Sequence, residues 1–413
     1  MAVFDDTVRP AARAESPGYQ TLLVGLLSLN FGILFFDRNA LNFLMPFVKP
    51  DLGLSNTQVG LTASALSFTW AIATILIGAA SDRSGRRKPL LIAATIAFSL
   101  CSLLSGLAAS FLTLMGARLL MGVADGGVAP ISQSMTALAV APERRGLAMG
   151  IMQNLGSNLF GSIFAPVLLV MFATAYGWHT AFYITALPGL LSALLLWLFV
   201  REPQAQAHEG ASGETFAQRF RFILAQRNIV ICGLLSILLV SYLVVCWAFM
   251  PLFLTAVRGF SPEAMGWLMA ILGVSATIGS FAVSGISDRI GRKPVMIIAS
   301  FMGVILPLGA LFFDGPVWIL AALFAVGWVL TGLFPLFMGT VPSESVGPHH
   351  MATAIAMVMS VGEIVGGVLA PALAGYAADA AGLGAPLWIM IGLCLAGGLL
   401  AFDLRETAPA VAK

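Results

Sequence analysis

Five ionisable residues lie inside long apolar segments of the sequence: Asp37, Arg38, Arg118, Asp125 and Glu363. A charge at the centre of a bilayer costs about 3 kcal/mol or more, so such residues usually face a cavity or pair with one another. A carboxylate in this setting can load and release a proton, and an arginine can hold an anion. These residue types therefore indicate transport of a solute across a membrane.

Arg38 is the main predicted ligand of a substrate anion and Arg118 a further predicted substrate-binding residue, because arginine stays protonated and can donate two parallel hydrogen bonds to a carboxylate. Burial disfavours the charged form of Asp125, which makes this residue the predicted proton carrier. Asp37 is the second predicted carrier, paired with Arg118. Arg118 and Asp125 are about two helical turns apart on nearly the same face, so Asp37 and Arg38 could engage them alternately. The alternative interpretation is a set of static salt bridges.

Glu363 stands among glycines and is the only charge deep within the apolar segments of the second half of the sequence. Three functional roles are open for it: a hydrogen bond to substrate hydroxyls, a further proton site, or a ligand for a cationic substrate. A structural alternative is a capped break in the helix. We predict that Glu363 takes part in both proton coupling and substrate binding.

Further substrate ligands are predicted on the fifth and seventh helices. Polar residues recur on the fifth helix at i, i+1, i+4 and i+5, a stripe that faces either a cavity or a neighbouring helix. Its members are Gln153, Asn154, Ser157 and Asn158. Tyr242 and Trp247 are candidates on the seventh helix, although aromatic residues at this spacing also pack between helices. No His or Cys grouping has the spacing of a metal site, and we predict neither a metal nor a cofactor.

The composition is that of a membrane protein. The 413 residues are 59% hydrophobic and 10% charged, whereas a soluble domain has about 25% charged residues. Apolar runs of this length suit helices and exclude barrel strands. The prediction is an all-α integral membrane protein with twelve transmembrane helices, at about 21–46, 56–80, 90–109, 112–135, 146–173, 178–200, 228–256, 262–286, 294–313, 316–339, 350–375 and 383–405.

The distribution of basic residues predicts the topology. With both termini inside, all but four of the 21 Lys and Arg residues lie in the inside segments, as the positive-inside rule requires. The exceptions are Lys49 and Arg258 outside, and Arg38 and Arg118 within helices. We predict a multi-pass protein of the cell inner (plasma) membrane with both termini cytoplasmic. Its predicted parts are an N-terminal segment 1–20, a first six-helix half 21–200, a cytoplasmic linker 201–227, a second half 228–405 and a tail 406–413.

Two loops have nearly the same sequence. Residues 78–89 read GAASDRSGRRKP after the second helix, and residues 287–294 read SDRIGRKP after the eighth. Such a match at corresponding places indicates a duplicated transporter. An Asp followed by basic residues in a tight turn can pair with neighbouring helix ends and hold one side shut, whereas the alternative is a simple positive-inside anchor. The predicted conformational latch comprises Asp82, Arg83, Gly85, Arg86, Arg87, Asp288, Arg289, Gly291 and Arg292.

With these loops the chain resembles the major facilitator superfamily, whose signature is Gly-x-x-x-Asp-Arg-x-Gly-Arg-Arg/Lys. The second copy has Ser284 where the first Gly would stand. The fourth helix contains the segment RLLMGVAD, from Arg118 to Asp125. This segment is similar to the family's Arg-x-x-x-Gly-x-Gly pattern, with Ala124 replacing the second Gly. The fifth helix, GSIFAP from 161 to 166, is similar to a Gly-Pro packing motif common in proton-coupled members. The resemblance implies two pseudo-symmetric six-helix halves that work by alternating access.

The residues Phe35-Phe36-Asp37-Arg38, taken with Arg118 and Asp125, resemble the anion:cation symporter family. Members of that family move organic anions, often sugar acids or other carboxylates, together with H⁺. They often have Tyr where this chain has Phe35. The resemblance implies a proton-coupled symporter of a small organic anion such as a sugar acid, hydroxy acid or aromatic carboxylate.

Two other functions fit the same fold. One is an exporter that exchanges H⁺ for a drug or metabolite, with Glu363 as the ligand of a cationic compound. The other is a membrane sensor that binds without transport. An enzyme is not predicted, because the sequence shows no nucleophile–base pair, phosphate loop or metal cluster. The predicted partners are a small organic anion, H⁺ and the lipid bilayer, with no nucleic acid, and the chain is predicted to act as a monomer.

Overall fold

The computed structural model of the chain describes residues 16–141, 144–203, 216–346, 350–408 and 411. Eleven helices in this part are long and apolar enough to cross a membrane. A twelfth apolar helix, Ala385–Ala401, has 17 residues. The predicted all-α membrane fold with twelve helices in two halves is confirmed. The predicted segments at 1–15, 204–215 and 409–410 lie outside the described residues.

The helices are numbered in chain order. They are α1 Pro17–Asp51, α2 Asn56–Ser84, α3 Arg87–Gly106, α4 Phe111–Ala139, α5 Leu147–Tyr176, α6 Trp178–Phe199, α7 Arg227–Ala256, α8 Pro262–Ile290, α9 Arg292–Phe312, α10 Val317–Ser345, α11 Thr353–Ala381 and α12 Ala385–Ala401. A short helix, Phe216–Leu224, precedes α7. Helices α1–α6 form the first half and α7–α12 the second.

Local sequence sets where the helices begin and end. Ser55 caps α2 in a capping box with Gln58, and Ser261 accepts a hydrogen bond from the backbone at the start of α8. Such side-chain oxygens satisfy backbone N–H groups that have no partner inside the helix. Helix α2 ends at Gly85, whose φ of 64° is in the left-handed region that glycine adopts without strain. The resulting short loops place successive helices antiparallel.

The bundle has two ends, which we name by their loops. The signature end contains the turns 84–87 and 290–292, and the distal end contains the loops 51–56 and 256–262. At the distal end, Asp379 of α11 binds the first turn of α2. Its carboxylate accepts hydrogen bonds from the backbone N–H groups of Asn56 (2.8 Å) and Thr57 (2.8 Å) and from the Thr57 hydroxyl (2.6 Å). This contact joins the two halves.

Two glycines allow the halves to approach closely near the distal end. A Cβ atom at Gly60 of α2 would lie 2.0 Å from the Pro371 carbonyl oxygen of α11, and one at Gly266 of α8 would lie 2.9 Å from the Pro166 carbonyl oxygen of α5. Gly60 and Gly266 each follow the start of their helix by four residues. Pro166 and Pro371 end matching segments, GSIFAP in α5 and GGVLAP in α11. The contact is therefore repeated by the pseudo-symmetry of the fold.

Candidate substrate and proton site

Close packing of α4 on α2 positions the charged residues of the fourth helix. A Cβ atom at Gly122 would lie 2.4 Å from the Leu66 carbonyl oxygen, and one at Gly126 would lie 2.8 Å from the Thr74 backbone nitrogen. Gly122 of the signature and Gly126 beyond it thus let the two backbones approach closely. Arg118 and Asp125 of the same helix are both only 1% exposed.

Asp37 of α1 is bound by hydroxyl groups from two other helices. Its Oδ1 accepts hydrogen bonds from Ser102 of α3 and from Thr185 of α6, the latter at 3.2 Å. Its Oδ2 is buried and has no hydrogen-bond partner among the described residues. A buried carboxylate that lacks a full set of partners is costly when charged. Proton exchange at Asp37 stays a prediction.

The Arg118 side chain contacts α1 and α3 and interacts electrostatically with Asp37. Its Nη1 donates to the Arg38 carbonyl oxygen (3.4 Å) and its Nη2 to the Ser105 hydroxyl (3.5 Å), while Nε has no partner within the described chain. It interacts electrostatically with Asp37 and Asp125. The predicted direct ion pair between Asp37 and Arg118 is nevertheless not formed among the described side chains, and the two hydroxyl groups that bind Asp37 both contact its Oδ1.

Asp125 lies within electrostatic reach of both arginines, Arg38 and Arg118. Its Oδ2 is buried without a hydrogen-bond partner in the described structure. The alternate engagement of Arg118 and Asp125 by Asp37 and Arg38 stays a prediction. We call Asp37, Arg38, Arg118 and Asp125 the charge cluster.

Arg38 differs from the other members of the charge cluster because it is partly exposed. The central carbon of its guanidinium group lies 5.1 Å from the ring centroid of Trp70 and 5.8 Å from that of Phe35. Within the described residues its side chain forms no hydrogen bond or ion pair. Aromatic rings engage the faces of a guanidinium group and leave its N–H edges available, and those edges fit a carboxylate.

Glu363 approaches the charge cluster from the second half. It lies in the π-helical segment Gly362–Gly367 of α11. A Cβ atom at Gly366 would lie 2.7 Å from the Ile237 carbonyl oxygen, so the segment packs tightly on α7. Glu363 is partly exposed and interacts electrostatically with Arg38. The irregularity expected among these glycines is therefore a π turn, which is often found at functional sites.

The polar stripe on α5 lies in a second π-helical region, Ile151–Leu155 and Ser157–Phe164. Gln153, Ser157 and Asn158 are half-buried and Asn154 is exposed. The Ser157 hydroxyl donates to the Gln153 carbonyl of its own helix, which reduces its capacity to bind a substrate. Substrate binding by the other three stays a prediction.

The two aromatic candidates on α7 have different positions. Tyr242 is fully buried, and its hydroxyl donates to the Gly303 carbonyl of α9 at 2.8 Å. Here it packs helices together rather than presenting its hydroxyl to a solute. Trp247 is 8% exposed and meets Phe43 of the first half edge to face, with ring centroids 5.5 Å apart. Trp247 thus lies between the halves, where a substrate contact remains a prediction.

At the signature end, the second copy of the predicted latch forms an ion-pair group within its own half. Arg292 donates to Asp288, to Ser287 (2.7 Å) and to Glu344 of α10 (3.1 Å). Gly291 has a φ of 109°, which only glycine adopts readily. Asp288 and Arg292 are therefore engaged, while Arg289 is exposed.

In the first copy, the Arg87 Nε donates to the Ser134 hydroxyl of α4 at 2.7 Å. Arg83 and Arg86 are exposed, and Gly85 forms the turn. The side chain of Asp82 lies outside the described part of the structure. The latch hypothesis stays a prediction.

Residues 27–368 and 245–413 match the sequence model of the Major Facilitator Superfamily. The chain belongs to this superfamily. It is 28% identical over 411 residues to the hexuronate transporter of Bacillus subtilis (strain 168), with 92% of each chain covered. It is 29% identical over 421 residues to the gallate transporter of Pseudomonas putida, with 91% of this chain and 89% of the relative covered. Among solved structures, the nucleoside transporter NupG is similar in fold, with a TM-score of 0.74, 16% identity, and coverage of 92% of this chain and 97% of that one.

Sequence reasoning missed the hydroxyl partners of this superfamily member's buried polar groups. Ser102 and Thr185, which bind Asp37, belong to a repeated arrangement. Asn30 of α1 likewise accepts hydrogen bonds from Thr95 of α3 (3.2 Å) and Ser192 of α6 (2.8 Å). Asn30, Thr95 and Ser192 are each seven residues, or two helical turns, from the corresponding residue of the Asp37 set on the same helix face. That common spacing was the available signal.

Two acidic caps at the signature end were also missed. The Glu202 carboxylate accepts from the backbone N–H groups of Arg87 (2.6 Å) and Lys88 (3.0 Å) at the start of α3. The Glu406 carboxylate accepts from those of Arg292 (2.8 Å) and Lys293 (3.1 Å) at the start of α9. A carboxylate at a helix N-terminus is favoured by the helix dipole. The signal was an Arg-Glu pair after the last helix of each half of this superfamily fold.

Replacing Glu406 with Gln should lower the melting temperature of the purified protein by about 2–4 °C. Burial tends to raise the pKa of Glu406, but N–H donors from Ala408, Arg292, Lys293 and Thr407 outweigh it and lower the pKa below the usual value. The charged cap therefore stabilises the fold above the ordinary carboxylate pKa of about 4.3 and loses this effect as pH falls through the lowered pKa. Thermal unfolding followed between pH 7 and pH 3 measures both effects.

Asp403→Asn is the control for the Glu406 variant, because the side chains of Asp403 and of its ion-pair partner Arg227 are 67% and 50% exposed. It should leave the melting temperature unchanged, since exposed ion pairs contribute little. Equal stability of Glu406→Gln and the wild type at pH 7 would contradict the assignment of Glu406 as a structural cap.

Proposed function

We propose that this protein is a proton-coupled symporter that carries a small organic anion, such as a sugar acid, hydroxy acid or aromatic carboxylate, across a cell inner membrane. The observation that carries the proposal is the placement of Arg38. Its guanidinium group is held over Trp70 beside buried Asp125, yet forms no hydrogen bond or ion pair with a described side chain. A fixed cation with free N–H edges is a binding site for a carboxylate.

The charges of the cluster supply a basis for coupling to H⁺. An anion that reaches Arg38 adds negative charge next to Asp37 and Asp125, both of which are buried. Protonation of one acid offsets this charge and leaves more of the arginine charge for the substrate. Substrate and proton therefore favour one another's binding, which is the thermodynamic requirement for symport.

The relatives support the substrate class. The hexuronate transporter and the gallate transporter are both named for organic anions, and each aligns with about nine-tenths of this chain. The group that those two anions share is a carboxylate, which is the group that Arg38 would bind.

Alternating access supplies the movement. The halves would rock about the central site, with the signature end cytoplasmic because the basic residues gather there. The contacts Gly60–Pro371 and Gly266–Pro166 hold the distal end closed. The latch groups around Asp82 and Asp288 would close the signature end in the opposite state.

One observation favours a second candidate function. Glu363 has no hydrogen-bond partner among the described residues and faces the site from the second half. An exporter that exchanges H⁺ for a cationic compound would use such a carboxylate as its ligand. The direction of the proton gradient that drives transport separates this candidate from the symporter.

The test is uptake of radiolabelled glucuronate, gallate and benzoate into proteoliposomes under an inward, absent or outward proton gradient. Accumulation of at least one acid above equilibrium only under the inward gradient is expected. Asp125→Asn should lose this accumulation yet still exchange labelled for unlabelled acid, whereas the control Asp403→Asn, at an exposed ion pair with Arg227, should behave like the wild type. Uptake of none of these acids, or accumulation independent of the gradient, would refute the proposal.

A further inference from the structure

We infer that Glu363 binds the end of the substrate opposite the carboxylate held by Arg38, and so selects monocarboxylic acids that bear a distant hydroxyl or ammonium group. This inference rests on the proposed function. It assigns to Glu363 a role in specificity that the charge cluster of the first half cannot perform, because that cluster contacts the substrate from one side.

Helix α2 shows how Arg38 and Glu363 are placed relative to each other. Trp70 of α2 lies under the Arg38 guanidinium group. Ser67 is three residues earlier, hence on the same helix face. A Cβ atom at Gly367 would lie 3.4 Å from Ser67 and 3.2 Å from Glu363 Oε2. The two charged groups therefore lie near neighbouring positions on α2, one from each half.

The two groups interact through space without touching. Glu363 interacts electrostatically with Arg38, yet no ion pair or hydrogen bond joins their side chains in the described structure. Both side chains are partly exposed. Two opposite charges that interact without a direct contact fit a solute with complementary ends, an anionic group at Arg38 and a hydrogen-bond donor at Glu363.

The packing of α11 does not account for the carboxylate. Its contact with α7 is made by the glycines Gly362 and Gly366. In the pseudo-symmetric segment of α5, which ends in GSIFAP where α11 has GGVLAP, the corresponding residue is Asn158. Because the equivalent position in the first half has an amide side chain, the fold does not require a charged residue there. Glu363 is thus available for recognition.

The charge of Glu363 also predicts what the site rejects. A substrate with a second carboxylate at its far end would place two negative groups together in a poorly solvated space, which is unfavourable. A substrate with no polar group at that end would leave the Glu363 carboxylate without the hydrogen bonds it makes to water. Both kinds of acid should therefore bind more weakly than acids with a distant donor.

Two series of acids with constant skeletons test the inference. The first is butanoate, 4-hydroxybutanoate, 4-aminobutanoate and butanedioate; the second is benzoate, 4-hydroxybenzoate, 4-(aminomethyl)benzoate and terephthalate. Each acid competes against the acid that the wild type accumulates best. In at least one series, the affinity for the hydroxy acid and the amino acid should be about tenfold higher or more than the affinity for the parent acid and for the diacid.

Variants of Glu363 separate its charge from its hydrogen-bonding capacity. Glu363→Gln should keep the preference for the hydroxy acid, lose that for the amino acid and accept the diacid better. Glu363→Ala should lose all three kinds of discrimination in competition for binding. Asp403→Asn, which removes an exposed carboxylate of the second half, should retain the wild-type ranking.

The outcomes distinguish failure of this inference from failure of the proposed function. If parent, hydroxy acid and diacid compete equally in both series, or if Glu363→Ala keeps the wild-type ranking, Glu363 does not read the distant group and only the inference fails. If the wild type accumulates no carboxylate under an inward proton gradient, the proposed function itself fails.

Discussion

Replacing Arg38 with Ala should reduce carboxylate uptake by about 100-fold or more, because removal of one partner of a poorly solvated charge pair costs about 3–5 kcal/mol. The guanidinium group lies 5.1 Å from the Trp70 ring and makes no hydrogen bond or ion pair to another described side chain. Its contribution to stability should therefore be small compared with its contribution to binding. Initial uptake rates in proteoliposomes, together with binding of the labelled acid to the purified protein, measure the loss.

Arg38→Lys refines this result. Lysine keeps the positive charge but cannot donate two parallel hydrogen bonds in one plane or stack its charge on Trp70 in the same way. Its uptake should fall between those of the wild type and Arg38→Ala. Arg227→Ala is the matched control, because Arg227 forms an exposed ion pair with Asp403 far from the charge cluster. Normal uptake by a well-folded Arg38→Ala protein would exclude Arg38 as the anion ligand.

Replacing Gly60 with Ala should reduce transport by about tenfold or more, through overpacking of the contact between the halves. The new Cβ would lie 2.0 Å from the Pro371 carbonyl oxygen, and the obstacle is backbone rather than a flexible side chain. Helices α2 and α11 must then move apart by roughly 1.4–2 Å to reach the ordinary contact distance of 3.4–4 Å. The closed distal end should become less populated, and the cycle should stall with that end open.

Gly116→Ala is the control for the Gly60 variant. Both are glycine-to-alanine changes within membrane helices, but a Cβ at Gly116 would have nothing within 4 Å. Distances between spin labels on α2 and α11 at the distal end should lengthen in Gly60→Ala and stay unchanged in Gly116→Ala. Wild-type transport by Gly60→Ala would mean that the close approach of these helices is not required in the cycle.

The charge cluster could be predicted from the sequence because a charge within an apolar run is conspicuous. A long apolar run predicts a helix that crosses a membrane. A charged side chain in such a helix usually pairs with another charge or faces a transport pathway. Arg118 and Asp125 could be assigned to one face because they are separated by two turns on one helix. The structure places both at the centre of the first half, fully buried.

The partners of the charge cluster could not be predicted because they come from distant parts of the chain. Ser102 and Thr185 bind Asp37 from 65 and 148 residues away, and hydroxyl groups are common in membrane helices, where they often bond to their own backbone. Tyr242 shows the reverse problem. Its aromatic side chain suggested a residue that lines the cavity, but the sequence does not show that its hydroxyl donates to the Gly303 carbonyl.

The caps at Glu202 and Glu406 have a mechanical consequence. Each binds the chain just beyond the sixth helix of a half to the first turn of its third helix, which closes the third to sixth helices of that half into a ring at the signature end. A closed ring resists shear between its members, so each half behaves as a stiff lever. In the proposed alternating access, a substrate that draws the halves together at the central site would then rotate each half as a rigid body. The signature end would move with that rotation, because the half bends little.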